Sequence, residues 1–306
     1  MRKPPSARGF WEVIAMFETL SEMFSYGFLV RAVVVGVMVS LCAALLGVSL
    51  VLKRYSMIGF GLSNVGFGTL AIATALNLAP LAVSMPVVVL AAFLLLRISE
   101  NSKIKGDAAI ALISTASLAI GISVIAMTTG MNTDVCNYLF GSILAMSHAD
   151  VQLSVTLSIA VMALFVLFYN KIFAVTFDEG FARATGVKAG AYNMLIALLT
   201  AMTIVLGMRM MGALLISSLV IFPALTSMRL CKKFKTVTIC SAIVSVACFF
   251  IGVVMSYLHA IPTGASVVLV NVVAFFGFWL AALLVLRRKG AQTAELGAER
   301  LERMVE

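Results

Sequence analysis

Two consecutive acids, Asp178 and Glu179, open a stretch reading Phe177-Asp178-Glu179-Gly180-Phe181-Ala182-Arg183-Ala184-Thr185-Gly186-Val187. Acidic residues favour a helix N-terminus and glycine stops one, so the spacing predicts a short helix between them. Such a helix has Phe177, Phe181 and Ala184 available on one side, a shape suited to a groove on another protein; an ordinary surface loop is the alternative reading of the same residues. Ligand chemistry is sparse elsewhere. His148 and Asp150 stand two apart and are the candidate ligands for a divalent cation, in a stretch that would be polar in any case. Asp134 and Cys136 offer an oxygen and a sulfur, but two residues of one loop do not make a site. The five cysteines, Cys42, Cys136, Cys231, Cys240 and Cys248, form no CxxC pair, and most of them read as small buried hydrophobes. Pro223 lies inside an apolar run, where its missing N–H and its ring free carbonyl oxygens to kink a helix or line a polar path. No GxxxxGK[ST] motif is present, so the chain does not hold a nucleoside triphosphate in the P-loop manner, and no HExxH or paired mid-run carboxylate marks it as an enzyme.

The elements that must position these residues follow from composition. The chain has 306 residues, 62% hydrophobic and 11% charged, with a mean hydropathy of +1.11. Apolar runs of about twenty residues recur along it, the length that crosses a hydrocarbon core as a helix. Helices satisfy their own backbone groups in lipid, and a β-barrel would instead alternate over about ten residues, so the fold class is all-α and polytopic. The net charge of +9 does not point to nucleic acid, because the cations are not gathered on one face. Lys53/Arg54, Lys103/Lys105, Lys232/Lys233/Lys235 and Arg287/Arg288/Lys289 each stand just beyond an apolar run, the pattern of positive-inside topology.

Helices are expected at 28–52, 57–78, 81–98, 107–129, 152–170, 191–208, 211–229, 236–257 and 265–286. All nine span, or one early segment is re-entrant and eight do. The basic loops then share the cytoplasmic side, while the poorly basic turns, among them 207–210 and 259–264, face outward. The expected organisation is an interfacial N-terminal segment over 1–27, a transmembrane domain over 28–287 and a charged cytoplasmic tail over 288–306. Thr263 is expected to cap the last helix.

Four blocks carry a family resemblance: Tyr138-Leu139-Phe140-Gly141-Ser142-Ile143-Leu144, the 177–186 stretch, Gly212-Ala213-Leu214-Leu215-Ile216-Ser217-Ser218-Leu219-Val220-Ile221-Phe222-Pro223-Ala224, and Ile261-Pro262-Thr263-Gly264-Ala265-Ser266. In this order, on a polytopic background, they resemble the zinc/manganese/iron permeases of the ABC-3 family. The resemblance implies an ABC importer permease fold and a bacterial plasma-membrane protein that carries a divalent metal ion, zinc or manganese and possibly iron. It also implies a second permease chain, cytoplasmic ATPase subunits that bind the ATP, and an extracytoplasmic metal-binding protein. No cofactor is expected on this chain itself. Phe177, Asp178, Glu179, Phe181, Arg183 and Gly186 become, by resemblance, the loop that couples to the ATPase.

One block departs from the family. The second span reads Gly59-Phe60-Gly61-Leu62-Ser63-Asn64, where the family pattern reads Gly-Asp-x-Leu-Ser-His and its acid and imidazole meet the ion. Phe60 offers no ligand and Asn64 only a neutral amide oxygen; the two lie four apart, on one helix face, with Ser63 beside Asn64. Phe60, Ser63, Asn64 and Pro223 are therefore the transport-path candidates, with the path altered at Phe60 and Asn64 so that transport competence is an open question. A secondary metal transporter or channel not energised by ATP is the competing reading; it needs ionisable groups in mid-membrane, and the spans are almost free of them.

Overall fold

The computed structural model of the chain describes residues 25–101, 106–128, 141 and 148–283. Eleven helices are described: α1 (Gly27–Leu52), α2 (Ser56–Ala75), α3 (Pro80–Asn101), α4 (Gly106–Thr128), α5 (His148–Leu167), α6 (Tyr169–Phe177), α7 (Glu179–Ala184), α8 (Ala189–Met211), α9 (Ala213–Leu230), α10 (Phe234–His259) and α11 (Thr263–Leu283). Eight are long and apolar enough to cross a membrane, and a ninth crossing results if α5 and α6 count as one bent span. The N-terminal segment 1–24 and the tail beyond 283 lie outside the described residues, as does the 138–144 block except for Gly141.

Burial sorts the helices into an inner and an outer set. Of the apolar window of α2, 72% is buried, and α1, α8 and α9 are each more than half buried, whereas α11 is 17% buried. Apolar side chains on the outer helices need no protein partner, because lipid tails are as apolar as they are; the inner helices must instead gain by close packing. Small residues provide it. α1 and α10 run antiparallel, with Ser241 and Ser245 of α10 donating to the backbone oxygens of Ala44 (3.5 Å) and Ser40 (3.0 Å). One turn further, Gly36 of α1 makes room for the Phe249 ring. Gly47 faces α9 so closely that an added Cβ would stand 1.9 Å from the Val220 oxygen.

Two expectations require correction. The fifth apolar run is not one straight helix over 152–170: it begins at His148, breaks at Phe168, and turns by 68° into α6. Ile172, Val175 and Thr176 of α6 face inward while Lys171 and Phe177 are exposed, so α6 is two-faced where a lipid-spanning helix is apolar all round. The turn expected at 207–210 is instead part of α8, and the break falls on Gly212 alone, at φ 86° and ψ 159°, a region open essentially to glycine only. Gly207 has a packing role: a Cβ there would lie 2.4 Å from Ile216 Cδ1. The Thr263 hydroxyl pairs with the Ser256 hydroxyl at 3.1 Å, tying the start of α11 back to α10.

Candidate functional site

At one end of the bundle the turn after α1, the α6–α7 corner and the start of α10 meet. Asp178 caps α7, its Oδ1 accepting from the Phe181 N–H at 2.9 Å. The helix ends where Gly186 takes φ 81°, with Val187 N–H donating to the Ala182 oxygen and Gly186 N–H to the Arg183 oxygen. This pair of bonds closes the helix in the Schellman manner. Ala182 faces inward and packs with Val175 and Ala189. Phe181, by contrast, is 66% exposed and Phe177 60% exposed. Phe177 belongs to an aromatic group with Phe173 (5.1 Å) and Phe234 (6.3 Å), so its backbone is fixed while its ring remains available.

Glu179 points the other way, into the bundle. Its Oε2 accepts from Asn193 Nδ2 at 3.2 Å and lies 3.4 Å from Lys53 Nζ; its Oε1 accepts from Arg183 Nη2 at 2.5 Å. Lys53 Nζ also donates to Asn193 Oδ1. The Lys53 side chain is only 7% exposed, and its ammonium lies 5.6 Å from the centre of the Tyr55 ring. Partial burial alone would raise the Glu179 carboxyl, but the Asn193 and Arg183 hydrogen bonds and the Lys53 charge outweigh it and hold the group below its ordinary range. Sequence reasoning missed both partners: Lys53 was legible only as a topology marker, and Asn193 as one amide in an apolar run.

Along α2 the candidates separate. Ser63 and Asn64 are buried, at 1% and 7%, while Phe60 is 43% exposed. Asn64 Nδ2 donates to Ser114 Oγ of α4 at 2.5 Å, and the Ser63 hydroxyl bonds back to the Phe60 oxygen. α2 and α4 run parallel with their small residues in register: a Cβ on Gly61 would meet Ile110, and one on Gly68 would stand 2.7 Å from the Ser117 oxygen. Asn64 therefore sits within a tight helix seam. Pro223 is buried within an unbroken α9, with the Ser227 hydroxyl donating to its oxygen at 2.8 Å. His148 and Asp150 fall in the first turn of α5. Among the described residues, no group of three His, Cys, Asp or Glu is placed to hold a metal ion. Gly141, at φ 81°, packs its α-carbon against the end of α8, where a Cβ would stand 2.4 Å from the Met211 carbonyl carbon.

Comparison with known proteins bears on this arrangement. Residues 25–282 match the family described as ABC 3 transport family. The chain is similar to the manganese import system permease protein ScaB of Streptococcus gordonii, 27% identical over 265 residues and covering 86% of this chain and 95% of that one. It is also similar to the "Probable iron transport system membrane protein" of Haemophilus influenzae, 30% identical over 262 residues, covering 85% and 92%. Among solved structures, PsaBC from Streptococcus pneumoniae in complex with Fab superposes with a TM-score of 0.77 at 27% identity, over 86% of this chain and 94% of that one.

Proposed function

This chain belongs to the ABC 3 transport family, and on that premise we propose that it is the membrane-spanning permease subunit of an ATP-driven importer for a divalent transition-metal ion in a bacterial plasma membrane. Manganese and iron are favoured over zinc, because those are the metals in the relatives' names. The permease pairs with a second permease chain, receives its ion from an extracytoplasmic metal-binding protein, and draws its energy from cytoplasmic ATPase subunits that bind the ATP.

The observation that carries this reading is the construction of α7. A six-residue helix is capped at both ends and held inward by Ala182 and Glu179, yet it turns Phe181 and, beside it, Phe177 to the outside. Two exposed phenyl rings on a polar end of a protein mark an interaction surface, and a groove on the ATPase is the partner this family supplies. The altered α2 positions belong to the same reading: Phe60 raises the desolvation barrier to a dication, and Asn64 spends its amide N–H on Ser114. This chain then works beside a permease that retains the ligands, or it transports poorly by itself.

Phe181→Asp tests the coupling surface, since a carboxylate buried unpaired in a protein groove costs several kcal/mol, and about 1.4 kcal/mol is already a tenfold loss of binding. The expected result is a permease that inserts at the parent level but no longer retains the ATPase on an affinity column. Equal retention by parent and variant removes α7 from the interface.

A further inference from the structure

The Lys53, Glu179 and Asn193 side chains come from three separate parts of the chain: the turn after α1, the first residue of α7 and the first turns of α8. Each touches both of the others, through Lys53 Nζ to Glu179 Oε2 at 3.4 Å, Asn193 Nδ2 to Glu179 Oε2 at 3.2 Å, and Lys53 Nζ to Asn193 Oδ1. The Lys53 side chain is 7% exposed and that of Glu179 30%. A surface ion pair gains little and is easily screened. A lysine withdrawn this far from water behaves differently, because separating it from its carboxylate leaves an uncompensated charge in a region of low polarity. The three groups therefore resist being pulled apart, in whichever direction α7 is pushed.

α7 has little else to hold it. It is six residues long, Ala182 is its single buried side chain, and Asp178 and Gly186 cap it through local bonds that do not reach the transmembrane helices. α1 is, by contrast, one of the most enclosed helices, packed on α9 through Gly47 and on α10 through the Ser40 and Ala44 oxygens. A helix anchored by one alanine would slide or unwind under load; one anchored by a part-buried ion pair to the end of α1 and by an amide to α8 carries load into both.

Resting on the reading of α7 as the ATPase-docking element, we propose that Lys53, Glu179 and Asn193 act as positioning residues. They form a clamp that makes α7 move as one body with the ends of α1 and α8, delivering ATPase movement to the inner helices. Docking and delivery are then separate properties of one short helix: Phe181 on its outer face docks, and Glu179 on its inner face delivers. Arg183, 66% exposed, restrains the Glu179 carboxylate from the solvent side and does not link α7 to another helix.

The two properties come apart in one experiment on the intact permease–ATPase complex. Spin labels are placed at Val34→Cys on α1 and Met127→Cys on α4, both exposed positions far from the clamp, in a background with the native cysteines replaced. In the parent, ATP changes the distance between the labels. In Lys53→Met, the ATPase still co-purifies and hydrolyses ATP, but the ATP-dependent change is lost; the charge exchange Lys53→Glu with Glu179→Lys restores it at least in part. An undiminished change in Lys53→Met overturns the clamp, as does a Lys53→Met complex that has shed its ATPase, which would make the pair a mere support of the docking surface. Failure of the parent itself to retain an ATPase overturns the docking reading instead, and is read on the column before any spectrum is taken.

Discussion

The end of the bundle around α7 and the middle of α2 treat polar groups in opposite ways. Around α7 the chain withdraws a lysine and an asparagine from water and joins both to a partly exposed glutamate. Along α2, where an ion-carrying permease of this family is expected to present an acid and an imidazole, it places a phenyl ring and an amide turned into the seam with α4. Ionisable groups away from water are costly unless paired. On the proposed reading, their retention in one region and absence from the other separates two parts of transport, force transmission and ion contact: the clamp at α7 would serve the first, while Asn64 on α2 is committed to the seam with α4.

The contrast breaks most severely at the seam's closest approach. Gly68→Leu would force a side chain into a space where even a Cβ lies 2.7 Å from the Ser117 oxygen; overpacking costs about 1–3 kcal/mol and occasionally more, and backbone rather than a flexible side chain must give way here. Little folded protein should be recovered after detergent extraction, and a melting temperature equal to the parent's would show that α2 and α4 are not so tightly joined. Next in size is the attempt to convert the seam into an ion site. Phe60→Asp with Asn64→His should raise radioactive manganese uptake about tenfold, the equivalent of ~1.4 kcal/mol from the barrier, when the ATPase and binding protein are present. A parent that already transports briskly, with no gain on substitution, would move the ion path off these two positions.

Acid sharpens the other side of the comparison. The Glu179 carboxyl lies below its ordinary value of 4.5, so its ionised, clamped form contributes stability that is fully present above that value and is lost as pH falls through the depressed one. The groups facing it are Lys53 from the turn after α1, Arg183 on α7 and Asn193 on α8. Spin labels at Arg54→Cys and Ala184→Cys should show one narrow distance from pH 8 down past pH 5, roughly the upper edge of carboxylate titration, broadening only at lower pH; Glu179→Gln should be broad throughout. Broadening between pH 6 and 7 would assign the clamp to another group. The smallest effect belongs to Asn64→Val. It removes one interhelical hydrogen bond, worth about 0.6 kcal/mol on average in a membrane bundle, and should shift thermal unfolding by no more than a few degrees; a collapse of the fold would make Asn64 a keystone of the seam.

Much of this was legible from local sequence. Asp178 as a cap and Gly186 as a stop depend on bonds three to five residues long, and apolar runs of helical span length foretell transmembrane helices with few competing interpretations. The misread elements are places where direction changes inside an apolar stretch. Phe168 and the Tyr169-Asn170-Lys171 that follows look like the end of a span, and nothing in their hydropathy announces a 68° turn. Gly207 and Gly212 are indistinguishable by composition, yet one admits the Ile216 side chain and the other adopts a backbone conformation closed to other residues.

What the sequence by itself determined is therefore whatever acts within a turn or along one helix: the recurrence of apolar runs long enough to span, the acidic start and glycine stop that a short helix in 177–186 would use, and the standing of Phe60 and Asn64 where the family pattern reads an acid and an imidazole. Only the tertiary structure decided which faces meet. Lys53 finds Glu179 across 126 residues and Asn193 across 140, and Asn64 finds Ser114 across 50. The physical reason is that apolar runs in lipid carry almost no hydrophobic preference for one neighbour over another. Their pairing is settled by close fits between small residues and by a few polar contacts, and those are properties of two surfaces together, which neither segment shows alone.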